Sequence, residues 1–249
     1  MNGEHMSPES VVRFLCRFCL DDVTRPSLHS PWLSHGKCYA TDGRIAIRLD
    51  PGLAPLSVER KHQCDAPLHA SRDIDQWISS DYDDVKAHRR EALPIDFASL
   101  HLAAVAALDS AREDAWADGV PETVEDPEEL NREEAAEQNS CVILPGKSRM
   151  LIAAKYATMI CDTVDSFGDC AAFAYLRTNK DRRWKNSHSR ILFVGGKYDI
   201  LLMGLRTDVG GMFNRSAVAD SATGELVHRA EDKDPFDMDL LRFGKGGAE

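Results

Sequence analysis

The chain has 249 residues, 43% apolar and 29% charged, enough to close one large core or two small ones. No run of 18 uncharged apolar residues occurs, which excludes a membrane-spanning helix, and Glu4, Arg13 and Arg17 interrupt any secretory apolar stretch. Seven irregularly spaced cysteines argue against a disulfide framework and for a reducing cytoplasm, and a net charge of −11 argues against a protein that coats nucleic acid indiscriminately.

In chain order, Ser7-Pro8 is a helix start, and Val11, Phe14, Leu15, Phe18 and Cys19 follow as one apolar stripe. The helix is expected to end near Asp21–Asp22, ahead of Arg25-Pro26. Residues 28–49 read as an antiparallel meander of three short strands, 32–33, 38–40 and 44–49, turned at His35-Gly36 and Asp42-Gly43. Residues 50–70 read as a loop. A short helix over 72–79 carries Ile74, Trp77 and Ile78, and an alanine-rich one runs over 96–116. Residues 109–137 hold twelve acids against two bases and read as a solvated connector. The opening pattern then returns: a strand at 142–144, a helix from Ile152 to about Asp165, a strand over 171–176, and a hairpin of 191–194 and 198–205 about Gly195-Gly196-Lys197. Beyond Thr207 the polar, Gly/Asp-rich sequence reads as a loose tail.

This gives an α+β organisation of two helix-plus-antiparallel-strand halves, 1–66 and 142–206, with a helical and acidic insertion at 67–141 and a tail at 207–249. Catalytic signals are weak. Cys16 and Cys19 form a CxxC inside an amphipathic helix with no second pair, which reads as core thiols rather than a metal site. Gly146-Lys147-Ser148 lacks the upstream glycine of a phosphate loop, since position 141 is cysteine. No nucleophile elbow and no HExxH occurs, so neither catalytic residues, metal nor cofactor are expected. Residues 177–190 differ: six bases with Trp184 and His188 in fourteen positions form a segment able to hold phosphates and stack a base, through Arg182, Arg183, Trp184 and Lys185.

Tyr39-Ala40-Thr41-Asp42-Gly43-Arg44-Ile45-Ala46 resembles the A-T-D-G-H-R-L-A segment of the bacterial DNA polymerase sliding clamp (beta subunit) family, with one position missing after the glycine. The stretch from Tyr198 to Arg206 is similar to that family's closing Y-V-V-M-P-M-R strand, with Gly204 in place of the proline. The resemblance covers about 110 of the 249 residues and implies one DNA-clamp-like domain, which needs several copies, a homo-oligomer, to close a ring. It implies a non-catalytic protein that tethers or recruits replication or repair proteins on double-stranded DNA, without sequence preference. Such a compact form would suit a phage or other mobile element. The partner pocket it implies consists of Thr41, Gly43, Arg44, Ile45, Met203, Leu205 and Arg206, with Ile45, Met203 and Leu205 as an apolar floor. By position, Arg13, Arg17, Lys147, Arg149 and Lys155 are the implied DNA contacts. Two alternatives stand beside it. One is a clamp mimic that occupies a host clamp or its partners without encircling DNA. The other is an enzyme or unrelated binding module working through the Trp184 segment.

Overall fold

The computed structural model describes residues 7–20, 28–50, 67–116, 140–146, 150–175, 190–203 and 217–229. Among them, residues within 1–92, 163–175 and 190–203 make one compact unit, and those within 93–162 and 204–249 a second. The fold is α+β. No described helix is long and apolar enough to cross a membrane.

The first unit is built on a seven-stranded sheet, and its elements follow from the sequence pattern. Helix α1 (Pro8–Cys16) starts where Ser7 Oγ accepts the Ser10 N–H at 3.2 Å. It stops before the expected 21–22 because its last turn tightens: Phe18 N–H donates to Leu15 and Cys19 N–H to Cys16, three residues back, which carries Phe18 into the core. Strands β1 (Trp32–Ser34) and β2 (Lys37–Thr41) join through His35 and Gly36, both at positive φ, the geometry that matches strand twist in a two-residue hairpin. β3 (Ile45–Leu49) follows after the Asp42-Gly43 turn. The later part of the unit holds β7 (Cys170–Tyr175), β8 (Arg190–Gly195) and β9 (Tyr198–Met203). The strand order is β1-β2-β3-β9-β8-β7-β4, with β4 spanning Arg90–Leu93.

The join is the informative feature. β3 pairs with β9 antiparallel, Ile45 opposite Leu202 through Leu49 opposite Tyr198. Two antiparallel meanders, β1-β2-β3 and β7-β8-β9, each preceded by a helix, thus meet through their last strands. The helix before the second meander is α4 (Ala154–Phe167), whose residues from Thr163 onward belong to this unit.

Both faces of the sheet are covered, which explains the nearly continuous apolar runs Ile45-Ala46-Ile47 and Ile200-Leu201-Leu202. One face presents Trp32, Tyr39, Ala46, Leu192 and Leu201 to Ile74 and Ile78 of α2 (Pro67–Lys86). The reverse face carries Ile45, Ile47, Tyr198, Ile200 and Phe193, all buried. Phe14 of α1 meets the Phe167 ring edge-on at 5.2 Å, and Phe167 lies 6.1 Å from the Tyr198 ring.

In the second unit, α3 (Phe97–Trp116) packs on a four-stranded sheet of order β11-β10-β5-β6. Leu100, Ala103, Ala104, Ala107, Leu108 and Ala111 form its buried stripe, and the alanines let helix and sheet approach closely. The strands are β5 (Ser140–Ile143), β6 (Leu151–Ala153), β10 (Ala217–Asp220) and β11 (Glu225–Arg229), with β5 and β10 parallel.

Several expectations need correction. The strand at 142–144 exists, as β5, but it pairs with β6 and β10, so the second meander half begins at α4. Residues 152 and 153, read as the start of that helix, belong to β6 (Leu151–Ala153). The loose tail contains β10 and β11. The short helix at 72–79 is the 20-residue α2, and β4 inside the insertion was not anticipated.

Candidate functional site

The segment that carries the clamp resemblance is held as a turn by its own side chains. Thr41 Oγ1 donates to the Ile45 carbonyl at 2.7 Å and accepts the Gly43 N–H at 2.9 Å. Asp42 Oδ1 accepts the Arg44 N–H at 2.7 Å and the Ile45 N–H at 2.9 Å. Gly43 has φ +89°, a left-handed conformation that side chains resist. The residue types Thr-Asp-Gly are therefore accounted for by local backbone geometry.

The expected pocket does not assemble as one floor. The Met203 N–H donates to the Arg44 carbonyl at 2.9 Å, so the turn and the end of β9 are neighbours. Yet Ile45 pairs with Leu202, and the two-residue alternation puts Met203 on the opposite face of the sheet. Ile45 is 1% exposed and closed to a partner, and Thr41 is buried. Gly43 and Arg44 are exposed and Met203 is half-buried. Leu205 and Arg206 lie outside the described residues.

Of the expected DNA contacts, Arg13 and Arg17 are exposed on and just beyond α1, with the Arg17 guanidinium 5.8 Å from the Phe14 ring centre. Lys155 is half-buried in the first turn of α4, its Nζ 5.4 Å from the Tyr156 ring. Glu9 is also exposed on α1, and α4 exposes Asp165 and half-exposes Asp162. Within the two helices the described charges are thus two bases, Arg13 and Lys155, against three acids, with Arg17 just past the end of α1. Lys147, Arg149, Arg182, Arg183, Trp184 and Lys185 lie outside the described residues.

Sequence reasoning missed the charged contacts between α2 and the sheet. Arg48 on β3 reaches Asp75 of α2 at 2.7 Å and Asp199 of β9 at 2.6 Å. Tyr39 donates to Asp75 at 2.9 Å and Tyr82 to Asp199 at 2.7 Å. Desolvation by itself would raise the Asp75 carboxyl. Hydrogen bonds from Arg48 and Tyr39, with the Arg48 charge, outweigh it and hold the carboxyl below its ordinary range. The two tyrosine hydroxyls are pushed up by burial and then by the carboxylates they serve.

A second cluster is centred on Asp81 of α2, beside Tyr82. Asp81, fully buried, takes Arg90 Nη2 at 2.5 Å and Arg190 Nη2 at 3.0 Å on its Oδ1. Burial raises its carboxyl despite the two guanidinium groups. The signal available in the sequence was the i, i+4 spacing of Ser71 and Asp75, continued by Asp81 and Tyr82, polar residues on the side of a helix that also carries Ile74 and Ile78.

The thiols are chemically quiet. Burial pushes Cys19 and Cys38 up to about 12 and Cys170 up to about 11. Among the described residues, no three His, Cys, Asp or Glu side chains are grouped to hold a metal ion.

No family model, characterised relative or solved structure matches the chain.

Proposed function

We propose that the chain is a non-catalytic, clamp-like protein that recruits replication or repair proteins to double-stranded DNA. One observation carries this reading: two helix-plus-meander halves joined through β3 and β9 into a single sheet, the organisation implied by the motifs at both ends of the resemblance. The chemistry of the first unit supports a binding role. Its shifted carboxyls, Asp75 and Asp81, are engaged by arginines and a tyrosine in docking α2 and β4, and so serve the fold. Arg13 on α1 and Arg17 just past its end are the described bases of that helix that contact duplex phosphates, and Arg44 with Met203 offers partners a charged and apolar corner at the sheet end.

The test is duplex binding as a function of salt. Each phosphate contact contributes about one unit to the slope of log affinity against log salt, so Arg13→Ala combined with Arg17→Ala is expected to flatten it by about two. An unchanged slope would remove α1 from the DNA contact.

The clamp-mimic reading has its own support. Among the described residues, the large sheet ends in β1 and β4, of three and four residues, and such short edges discourage pairing with another copy. The acids of α1 and α4, which match or exceed their bases, also give DNA little electrostatic hold. In this reading the chain stays monomeric and binds a host clamp or clamp partner, which an equilibrium pull-down with purified clamp would detect.

A further inference from the structure

We propose that Trp77 and Arg190 form a stacking platform for the bases of single-stranded nucleic acid, on the α2 side of the seven-stranded sheet. Trp77 is 43% exposed, whereas Ile74 and Ile78 on the same helix are 3% and 1% exposed. The indole is thus the large apolar group of α2 that does not enter the core. The Arg190 guanidinium sits over it, with Cζ 5.9 Å from the ring centre.

That guanidinium is fixed from below. Its Nη2 is held by Asp81, and Asp81 is fixed in turn by Arg90, whose Nη1 donates to the Arg190 carbonyl at 3.0 Å. Backbone and head group of Arg190 are therefore anchored by one fully buried carboxylate and one buried arginine. Two guanidinium groups face the one Asp81 carboxylate, and the neighbouring Asp84 is paired with Arg89. Among the described residues the hydrogen bond from the Arg190 head runs through Nη2, which leaves its Nε and Nη1 edge for an acceptor such as a phosphate oxygen.

An indole 43% exposed, an anchored cation 5.9 Å from its centre and an open donor edge match one nucleotide unit, the base on the indole's open surface and the phosphate on the arginine. A base must be unstacked to lie there, which selects single strands over duplex. Arg190 is also the last of the six bases within 177–190, so the local sequence charge favours a polyanion. The inference does not require the clamp reading, and it concerns residues other than Arg13 and Arg17.

The experiment measures fluorescence anisotropy of a labelled oligothymidylate of about 20 nucleotides, and of an abasic phosphodiester of the same length, against the full chain. Trp77→Ala is expected to weaken oligothymidylate binding about tenfold and leave the abasic strand unaffected, while Trp77→Phe retains most of the affinity. Arg13→Ala with Arg17→Ala should leave the ratio of oligothymidylate to abasic-strand affinity unchanged, so failure of the duplex reading and of this one are told apart. Equal affinity for the abasic strand, wild-type binding by Trp77→Ala, or no binding of oligothymidylate by the wild-type chain would each overturn the platform. Trp77 is a surface group, so its variants should show wild-type urea midpoints, which checks that they fold.

Discussion

At the scale of single residues, the Thr41–Ile45 turn and Gly195 are the places where side-chain identity is most tightly fixed. Asp42→Ala removes the acceptor of two backbone N–H groups and is expected to cost about 1–2 kcal/mol, read from the urea midpoint. Gly43→Ala forces a side chain into φ +89° and should cost about 1 kcal/mol or more. Gly195 has a different constraint. A Cβ there would fall 2.5 Å from the Tyr198 ring, whose hydroxyl is tied to the Gly168 carbonyl at 2.8 Å. Gly195→Ala should therefore destabilise by about 1–3 kcal/mol through overpacking, whereas Gly196→Ala, with open space around it, should be close to neutral. The dipeptide reads in sequence as a pair of turn glycines. One of the two is instead a seat for an aromatic ring, a tertiary contact that no local pattern encodes.

At the scale of elements, the docking of α2 on the sheet sets the acid response. The Asp75 carboxyl titrates below its ordinary value in the folded chain. Its contribution is therefore fully present above the unfolded value near pH 4 and is lost as pH falls through the folded one. Asp81 has the opposite sign: its raised value favours the folded state in acid and loses that contribution as pH rises. Asp75→Asn should accordingly flatten the loss of stability in acid, measured as urea midpoints between about pH 3 and 6. Arg48→Ala should cost about 3 kcal/mol, because it leaves the buried Asp199 carboxylate without its guanidinium, with Tyr82 serving only the other oxygen. The same contacts explain what could be read beforehand. The meanders were legible because β2, β3, β8 and β9 are apolar runs between turn residues. α2 was not, because half of its inward side is Ser71, Asp75, Asp81 and Tyr82, which an apolar periodicity overlooks. β4 hides for the same reason, since it begins with the buried Arg90. β10 and β5 pair in parallel across more than 70 residues of chain, and β10 is four residues long, so nothing local marks it.

At the scale of the whole molecule, the clamp reading and the mimic reading share one sheet and differ in assembly. Residues 39–46 hold the turn, and residues 198–203 form the strand beside it. The pocket inferred from them failed on strand parity, because Ile45 and Met203 occupy opposite faces. Among the described residues of that corner, Gly43 and Arg44 are exposed and Met203 half-buried, so Arg44→Glu is expected to weaken capture of a clamp-binding partner at least about tenfold while leaving the fold intact, as reversed rim charges do. The recruiting role itself is tested most directly by light scattering on the full chain, over a range of concentrations, with and without duplex DNA. The account predicts a mass that is a multiple of the chain's own and a further increase when duplex is added. A single-chain mass at every concentration, unmoved by DNA, would contradict it.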